Sequence, residues 1–453
     1  MAMIRKSTLV VVLIAALLGA GVYYLQKRNA RKQQAPADTT KPAFSIQASD
    51  IVSFTISHPA DASQPAIVFE RNGNTWEITQ PVQTEADQPT AQGFADQIAE
   101  SRITETEPRG ASRKKVYGLD PPQAVVDFQL RNGAKHTVVI GDKDFSGISV
   151  YTVVDGSPDV ALLPATLLAT AAKSLDDLRD RNVLHVQNED VESFALRNPS
   201  GALAIARRKD APDTWEFSRP EDVRADADAV NQLLSTVANA KMEGIASEKS
   251  SDLARYGLAD PSMTLTITRK DGQEATLQVG KKDGKDYFAR DVSRPQIFRV
   301  GQDLYTRLAE KFSDLRDKSV VHWDASVIRQ VEVTNANGTV TIRRKADGAE
   351  EWVVEAPAAE KGKSASSWKV LDPLTSLKAE EIIDHPSASQ LAALKKPAIE
   401  AVLTDNSGKT LTVRISNASG DFAFAQASDS PALYKVGKQV LENMNWKPGD
   451  IGM

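Results

Sequence analysis

The chain has no cysteine in 453 residues. Disulfides, thiolate metal sites, cysteine nucleophiles and a lipidated N-terminal cysteine are therefore excluded. Histidine is scarce as well. The five histidines (His58, His136, His185, His322, His385) are scattered, with no HExxH and no close pair, so a catalytic metal lacks its usual ligands. Positive charge is not in excess. The net charge is −5 and the pI is near 5.7. A general nucleic-acid binder needs a basic face to neutralise phosphates, so nucleic acid is not an expected partner. There is no Walker A sequence: GKKDGKD from Gly280 has the wrong spacing and no Ser or Thr after Lys. There is no GxSxG elbow and no SxxK in a fitting context. Carboxylates are plentiful, but nothing singles out a glycosidase-type pair. The sequence assigns no catalytic, cofactor-binding or metal-binding residue, and no cofactor is expected.

Long apolar runs are missing after the first 25 residues. Residues 8–25 (TLVVVLIAALLGAGVYYL) form an uncharged stretch after Arg5 and Lys6. As a helix it would rise about 27 Å, near the lower limit for a membrane span. Tyr23 and Tyr24 sit where interfacial aromatics belong, and Lys27, Arg28, Arg31 and Lys32 follow. A cleaved signal peptide would have a shorter apolar core and a clear small-x-small site. Residues 1–32 are thus expected to be an uncleaved, single-pass anchor in the cytoplasmic (inner) membrane. Residues 33–47 are expected to be a flexible linker, polar and Pro-spaced in QQAPADTTKPA. The remainder is expected outside the cytoplasm, as a tethered periplasmic part. The four basic residues after the span, against two before it, argue the other way.

What the chain does have is internal repetition. Trp76 precedes the Tyr117 of YGLDPP by 41 residues, and Trp215 precedes the Tyr256 of YGLADP by the same 41. The offset between the copies is 139, and Gly141 and Gly280, each closing a strand-like run, keep it. DLRDRNV from Asp177 and DLRDKSV from Asp314 stand 137 apart. A third, degenerate copy begins near Ile328 and places Trp352 in the tryptophan position. AALKKP from Ala392 replaces its Tyr-Gly-Leu motif. Three modules follow: 48–186, 187–324 and 325–453.

Within the first copy, residues 51–56 read as a strand and 66–71 with 75–78 as a hairpin around Asn72-Gly73. Asp87 is a plausible N-cap with Pro89 in the first turn. Ala91, Phe94, Ala95, Ile98 and Ala99 then share one helical face. A second hairpin turns at Asn132-Gly133; strands at 149–154 and 159–163 and a closing helix at 165–181 complete the unit. The second copy repeats this order, with Asp226 capping a helix that faces inward through Val230, Leu233, Leu234, Val237 and Ala238. Pro373 is expected to shorten the helix of the third copy so that it begins near Asp372. The expected fold class is α+β: three tandem repeats of a mostly antiparallel sheet with a helix on one face.

A residue present in every copy is more simply explained by the fold than by chemistry. Trp76, Trp215 and Trp352 are expected to be buried rather than to form a glycan- or peptide-binding face. Gly118 and Gly257 are expected at backbone angles that a Cβ would resist, with Tyr117 and Tyr256 pinning the loop, rather than as a ligand clamp. Features unique to one copy are better candidates. DKDFSG from Asp142 resembles half of a calcium loop, but its twelfth position is Val153 and no helices flank it. The loop at 360–369 carries Lys361, Lys363 and Lys369 beside Trp368, and reads more simply as a solvated insertion than as a lipid or partner contact.

The Trp-Glu-Ile and Trp-Glu-Phe hairpins, Pro81 and Pro220, YGLDPP and YGLADP, the Gly141 and Gly280 strand ends and the DLRD segments together resemble the domain-of-unknown-function family 4340. The likeness covers nearly everything after Ala48. It implies a protein with one N-terminal span, similar to auxiliary extracytoplasmic subunits of gliding-motility-type ABC transport systems. What it implies is a non-catalytic scaffold or binding subunit with a permease or auxiliary subunit as partner, and no catalytic residues. An envelope-associated hydrolase and a stand-alone surface-binding structural protein are the alternatives.

Overall fold

Alternating apolar and polar residues send every second side chain of a strand to the core. The strand Ile51–Ser57 obeys this for Phe54 and Ile56, while Ile51 is buried one position out of phase. A register shift between Ile51 and Ser53 against the partner strand accounts for the slip. The same irregularity recurs at Val191/Ser193 and at Ile328/Gln330. An extra residue in one strand bends it and raises its twist, so each opening strand is bent at an equivalent place.

The computed structural model describes residues 40–61, 63–346 and 350–452. The expected anchor (1–32) and the first part of the expected linker (33–39) lie outside the described residues. Among the described residues no helix is long and apolar enough to cross a membrane. The architecture is mostly antiparallel sheet with few helices. Two compact units are present: one of residues up to 184 with 239–259 and 281–301, the other of 185–238, 260–280 and 302–453.

The first unit holds a sheet in the order Thr84–Glu85, Thr75–Gln80, Ile67–Asn72, Ile51–Ser57, Ala124–Leu130, Lys135–Lys143, Ser149–Val154, Val160–Pro164, Glu105–Glu107. The second unit holds one in the order Trp352–Ala356, Gly338–Arg344, Ile328–Asn335, Ile399–Asp405, Thr410–Ile415, Phe422–Ala427, Leu433–Gly437, Glu381–Ile383. Strands of the middle copy fall in both units. The second unit has the run Trp215–Arg219, Gly201–Arg207, Val191–Asn198, Met263–Arg269 and Glu274–Asp283 as far as residue 280. The first unit has Asp286–Asp291, Ile297–Val300 and Gly244–Ser247. Each run keeps the neighbours of its counterparts in the other two sheets.

The helix Gln88–Glu100 begins where expected. The Asp87 carboxylate accepts a hydrogen bond from the Thr90 amide at 3.0 Å, a cap worth about 1 kcal/mol. Ala91, Phe94, Ala95 and Ile98 are buried, and the Phe94 ring meets Phe54 edge-on at 5.4 Å. In the second unit Asp226 accepts from the Ala229 amide, and Val230, Leu233, Leu234 and Val237 are buried.

Several expectations need correction. The closing helix is not continuous over 165–181: it breaks into Thr166–Ala171 and Leu175–Leu178, because the Ser174 hydroxyl caps a new start by accepting from the Asp177 amide. Arg179 is already extended. The third-copy helix does begin at Asp372, as the short Asp372–Thr375 with Pro373 in its first turn, but a further turn, Ser367–Val370, precedes it. The linker reading does not hold over 41–47, since Lys41–Pro42 pairs with Arg102–Ile103 and Phe44 is buried against Phe128. The first hairpin turns at Gly73 and Asn74, between the paired Asn72 and Thr75. Gly141 and Gly280 lie inside the strands Lys135–Lys143 and Glu274–Asp283 rather than closing them.

Gly141 has a steric reason. A Cβ there would stand 2.1 Å from the Tyr117 carbonyl oxygen, so the Tyr-Gly-Leu loop rests on bare backbone. Gly118 has φ 64°, and its Cβ would collide with the Asp142 carboxylate. Gly93, on the helix, has nothing within 4 Å of an added Cβ. Gly141→Ala is therefore expected to destabilise by about 1–3 kcal/mol through forced overpacking. Gly93→Ala should stabilise by about 0.5–1 kcal/mol. Thermal midpoints of the two variants moving in opposite directions is the expected result; a neutral Gly141→Ala contradicts the close approach.

Candidate binding cleft

The recurring tryptophans are packing residues. Trp76, Trp215 and Trp352 are 1%, 0% and 5% exposed. Each lies opposite an arginine on the neighbouring strand, Arg71, Arg207 or Arg344. The guanidinium carbon covers the ring at 4.4, 4.3 and 4.8 Å respectively, within cation–π range. The indole N–H of Trp76 donates to Gln92, and that of Trp215 to Asn231, both at 3.3 Å. No ring face is left for a ligand.

The DLRD segments are packing residues too. Arg179, with a side chain only 3% exposed, forms a two-pronged contact with Glu248 at 3.2 and 3.0 Å. Arg316 does the same with Asp384 at 2.7 and 2.6 Å. The Arg316 hydrogen bonds hold the Asp384 carboxyl below its ordinary range, and Asp384 raises Arg316 in turn.

Three of the histidines, His58, His136 and His322, have separate structural roles. His58 Nε2 lies 2.8 Å from the Ala171 carbonyl, the place where Asn198 donates to Leu308 and Asn335 to Met444 at 2.8 Å each. His136 pairs with Asp155 at 2.8 Å and His322 with Asp317 at 3.2 Å. In DKDFSG, Asp144 accepts from the Ser146 hydroxyl and the Ser149 amide, and Val153 is buried in a strand. In the third-copy insertion Lys361 pairs with Glu355, Lys363 with Glu360, and Lys369 donates to the Asp450 carbonyl.

The arrangement left unexplained by packing surrounds the second Tyr-Gly-Leu loop. The 3-10 turn Leu253–Tyr256 ends at Gly257, φ 70°, in the left-handed region, as expected. Tyr256 packs edge-on against Phe288 at 5.0 Å, and with Leu258 and Ile297 they make an apolar floor. Above that floor lies a cleft of about 460 Å³ lined by Arg255, Lys281, Lys282 and Arg299, with Asp283 as its one acid. Arg299 is committed: its Nε donates to Asp283 at 2.6 Å and its guanidinium lies over Phe288 at 5.5 Å. Arg255, Lys281 and Lys282 are exposed, and none has a carboxylate partner among the described residues. Arg255 leans over the Tyr256 ring at 5.6 Å and Lys282 over Tyr287 at 5.7 Å.

In the sequence the run at Lys281 and Lys282 resembles only a nucleotide motif of the wrong spacing. The signal available was the departure of Arg255, Lys281 and Arg299 from the first copy.

The motif geometry recurs with the Trp-to-Trp period of 139, and a family match covers residues 76–214 and 215–397, each half starting at a tryptophan. The chain belongs to the family described as domain of unknown function (DUF4340). No curated protein and no solved structure matches it. For this DUF4340 member the motif tryptophans, Tyr-Gly-Leu loops and DLRD arginines all have structural work that accounts for them.

A depressed carboxyl contributes stability above its unfolded pKa, about 3.9 for Asp, and loses it as pH falls through the folded value. Asp384→Asn is therefore expected to cost about 1–3 kcal/mol near neutral pH, leaving Arg316 without its partner. The deficit should begin to shrink as pH falls below about 3.9, where the unfolded chain takes up its proton first, and should close only below the lower folded value. Thermal midpoints across pH 3–7, values chosen around that pKa of about 3.9, measure this; a pH-independent deficit contradicts it.

Proposed function

We propose that this DUF4340 protein is a non-catalytic scaffold or binding subunit, held outside the cytoplasm by its N-terminal apolar segment. In this reading the chain is three tandem copies of one sheet-and-helix module behind a single span in the cytoplasmic membrane. Its partners are a permease or auxiliary subunit of an ABC-transporter-like envelope complex.

One observation carries the non-catalytic part. The side chains that recur in the copies are consumed by packing: each tryptophan lies under an arginine, and each DLRD arginine grips a carboxylate. A reaction site shared by the copies would need recurring polar side chains aimed into open space. The membrane part is supported by the run at 8–25 with its flanking tyrosines and basic residues. The transporter partner rests on the family likeness alone.

Purification of the full-length protein from membranes, with identification of what co-elutes, tests the reading. A permease and an ATPase are expected in the eluate. Their absence overturns the transporter assignment. Recovery of the chain in the soluble fraction overturns the tether. A reporter fused at the C-terminus should be active only outside the cytoplasm.

A further inference from the structure

The copies act as controls on one another, since positions equivalent in the sheets must satisfy the same packing. The pairs Ala124↔Ile140, Met263↔Val279 and Ile399↔Ile415 are equivalent. Two residues beyond Ile140, Val279 and Ile415 come Asp142, Lys281 and Asn417, all exposed. The residue before the Tyr-Gly-Leu position is Val116 in the first copy, 70% exposed, and Leu391 in the third, 38% exposed; in the second it is Arg255. The pairs Glu105↔Leu162 and Gly244↔Arg299 put a buried leucine in the first copy where the second has an arginine. The fold thus accepts valine or leucine, aspartate or asparagine, and leucine at these three sites. Lys281 and Arg299 of the second copy are therefore not required by packing, while a cation over the tyrosine ring recurs as Arg113 on Tyr117 and Arg255 on Tyr256.

The field differs accordingly. In the first copy Tyr151 faces Tyr117 at 4.8 Å, and its hydroxyl is pushed up by burial and then by Asp144, with Glu107 and Glu105 adding to it. Arg113 covers the Tyr117 ring at 5.7 Å, so a cation over the ring is common to both copies, and the difference lies at Asp142 against Lys281 and at Leu162 against Arg299. In the second copy the place of Tyr151 holds Phe288, and the cleft above it carries a net of three positive charges.

We propose that this cleft binds the phosphate group of a small ligand or a lipid headgroup. Three unpaired cations on one cleft suit a phosphate monoester, which carries about −1.5 to −2 charge at neutral pH and three acceptor oxygens. A single carboxylate would offset only a third of the charge. Arg255 offers a planar donor fork, while Lys281 and Lys282 act as point charges. The apolar floor of Tyr256 and Phe288 supports Arg255 and Arg299 from below and lowers the local dielectric, which strengthens the contact. This inference is independent of the scaffold reading, since a chain that co-purified with nothing would still bind phosphate.

The test uses the full-length protein in neutral detergent, titrated calorimetrically at low salt with inorganic phosphate and, separately, with a short-chain phosphatidate. The variant Arg255→Val with Lys281→Asp installs residues that the first copy already tolerates. At least one probe is expected to bind, with Kd rising about tenfold or more in the variant, because two charge-assisted contacts are lost. Binding of both probes marks a small-phosphate site; binding of phosphatidate alone marks a lipid headgroup site. The proposal is overturned if neither probe binds, or if the variant binds as the parent does. Should the double variant melt at a lower temperature, Lys281→Gln alone, an exposed and volume-conserving change, carries the same test.

Discussion

The segments after the closing helices lend their backbone to two neighbours at once, and the rest of the structure depends on that. In the first unit, Asp180 N–H donates to Glu85 and Leu178 accepts from Asp87, on one side. Three residues on, Val183 N–H donates to Ala240 and Arg181 accepts from Met242. The second unit repeats both halves, with Asp317 and Leu315 against Arg224 and Asp226, then Val320 and Lys318 against Leu377 and Ala379. Buried backbone groups must find partners, so a segment with one set of donors and acceptors spent on each side cannot be moved without exposing both. Arg179 and Arg316 lock the same joints through Glu248 and Asp384.

The chain start obeys the same constraint. Ala43 N–H donates to Ser101, and Lys41–Pro42 pairs with Arg102–Ile103, which is how 181–183 and 318–320 treat 240–242 and 377–379. Residues before the first module therefore take the place that a preceding module's tail takes elsewhere. This is why Lys41–Pro42, polar and unremarkable in composition, is strand and Phe44 is buried. Nothing local marks it; the partner lies 60 residues downstream.

Legibility followed the range of each interaction. The cap at Asp87, the face of Ala91, Phe94 and Ile98, and the left-handed glycines at 118 and 257 are set by neighbours within one or two turns, and the sequence shows them. The break at Ser174 was equally local but competed with an unbroken apolar pattern, which hid it. The carboxylate partners Glu248 and Asp384 sit 69 and 68 residues from their arginines, and no motif announces them. The cleft is harder still. It gathers Arg255, Lys281 and Arg299 from three segments, and only knowledge of which strands adjoin brings them together.

The family period and the structural period are out of phase, and this bears on what one module is. The match begins at Trp76 and Trp215, on the strands Thr75–Gln80 and Trp215–Arg219, the first next to the edge of its sheet and the second at the edge. A fragment cut at 75 and 214 would separate Arg71 from Trp76 and leave the ring uncovered. A fragment cut at 186 would keep Arg179 with Asp176 but lose Glu248, the carboxylate that takes both of its terminal nitrogens. Neither cut yields a unit with its polar groups satisfied. The compact unit that contains Arg179 also contains 239–259 and 281–301, which is what the arginine's demand for a carboxylate requires. The repeating element of this chain is thus the joint as much as the sheet, and the cleft of Arg255 and Lys281 belongs to the same unit as the first joint.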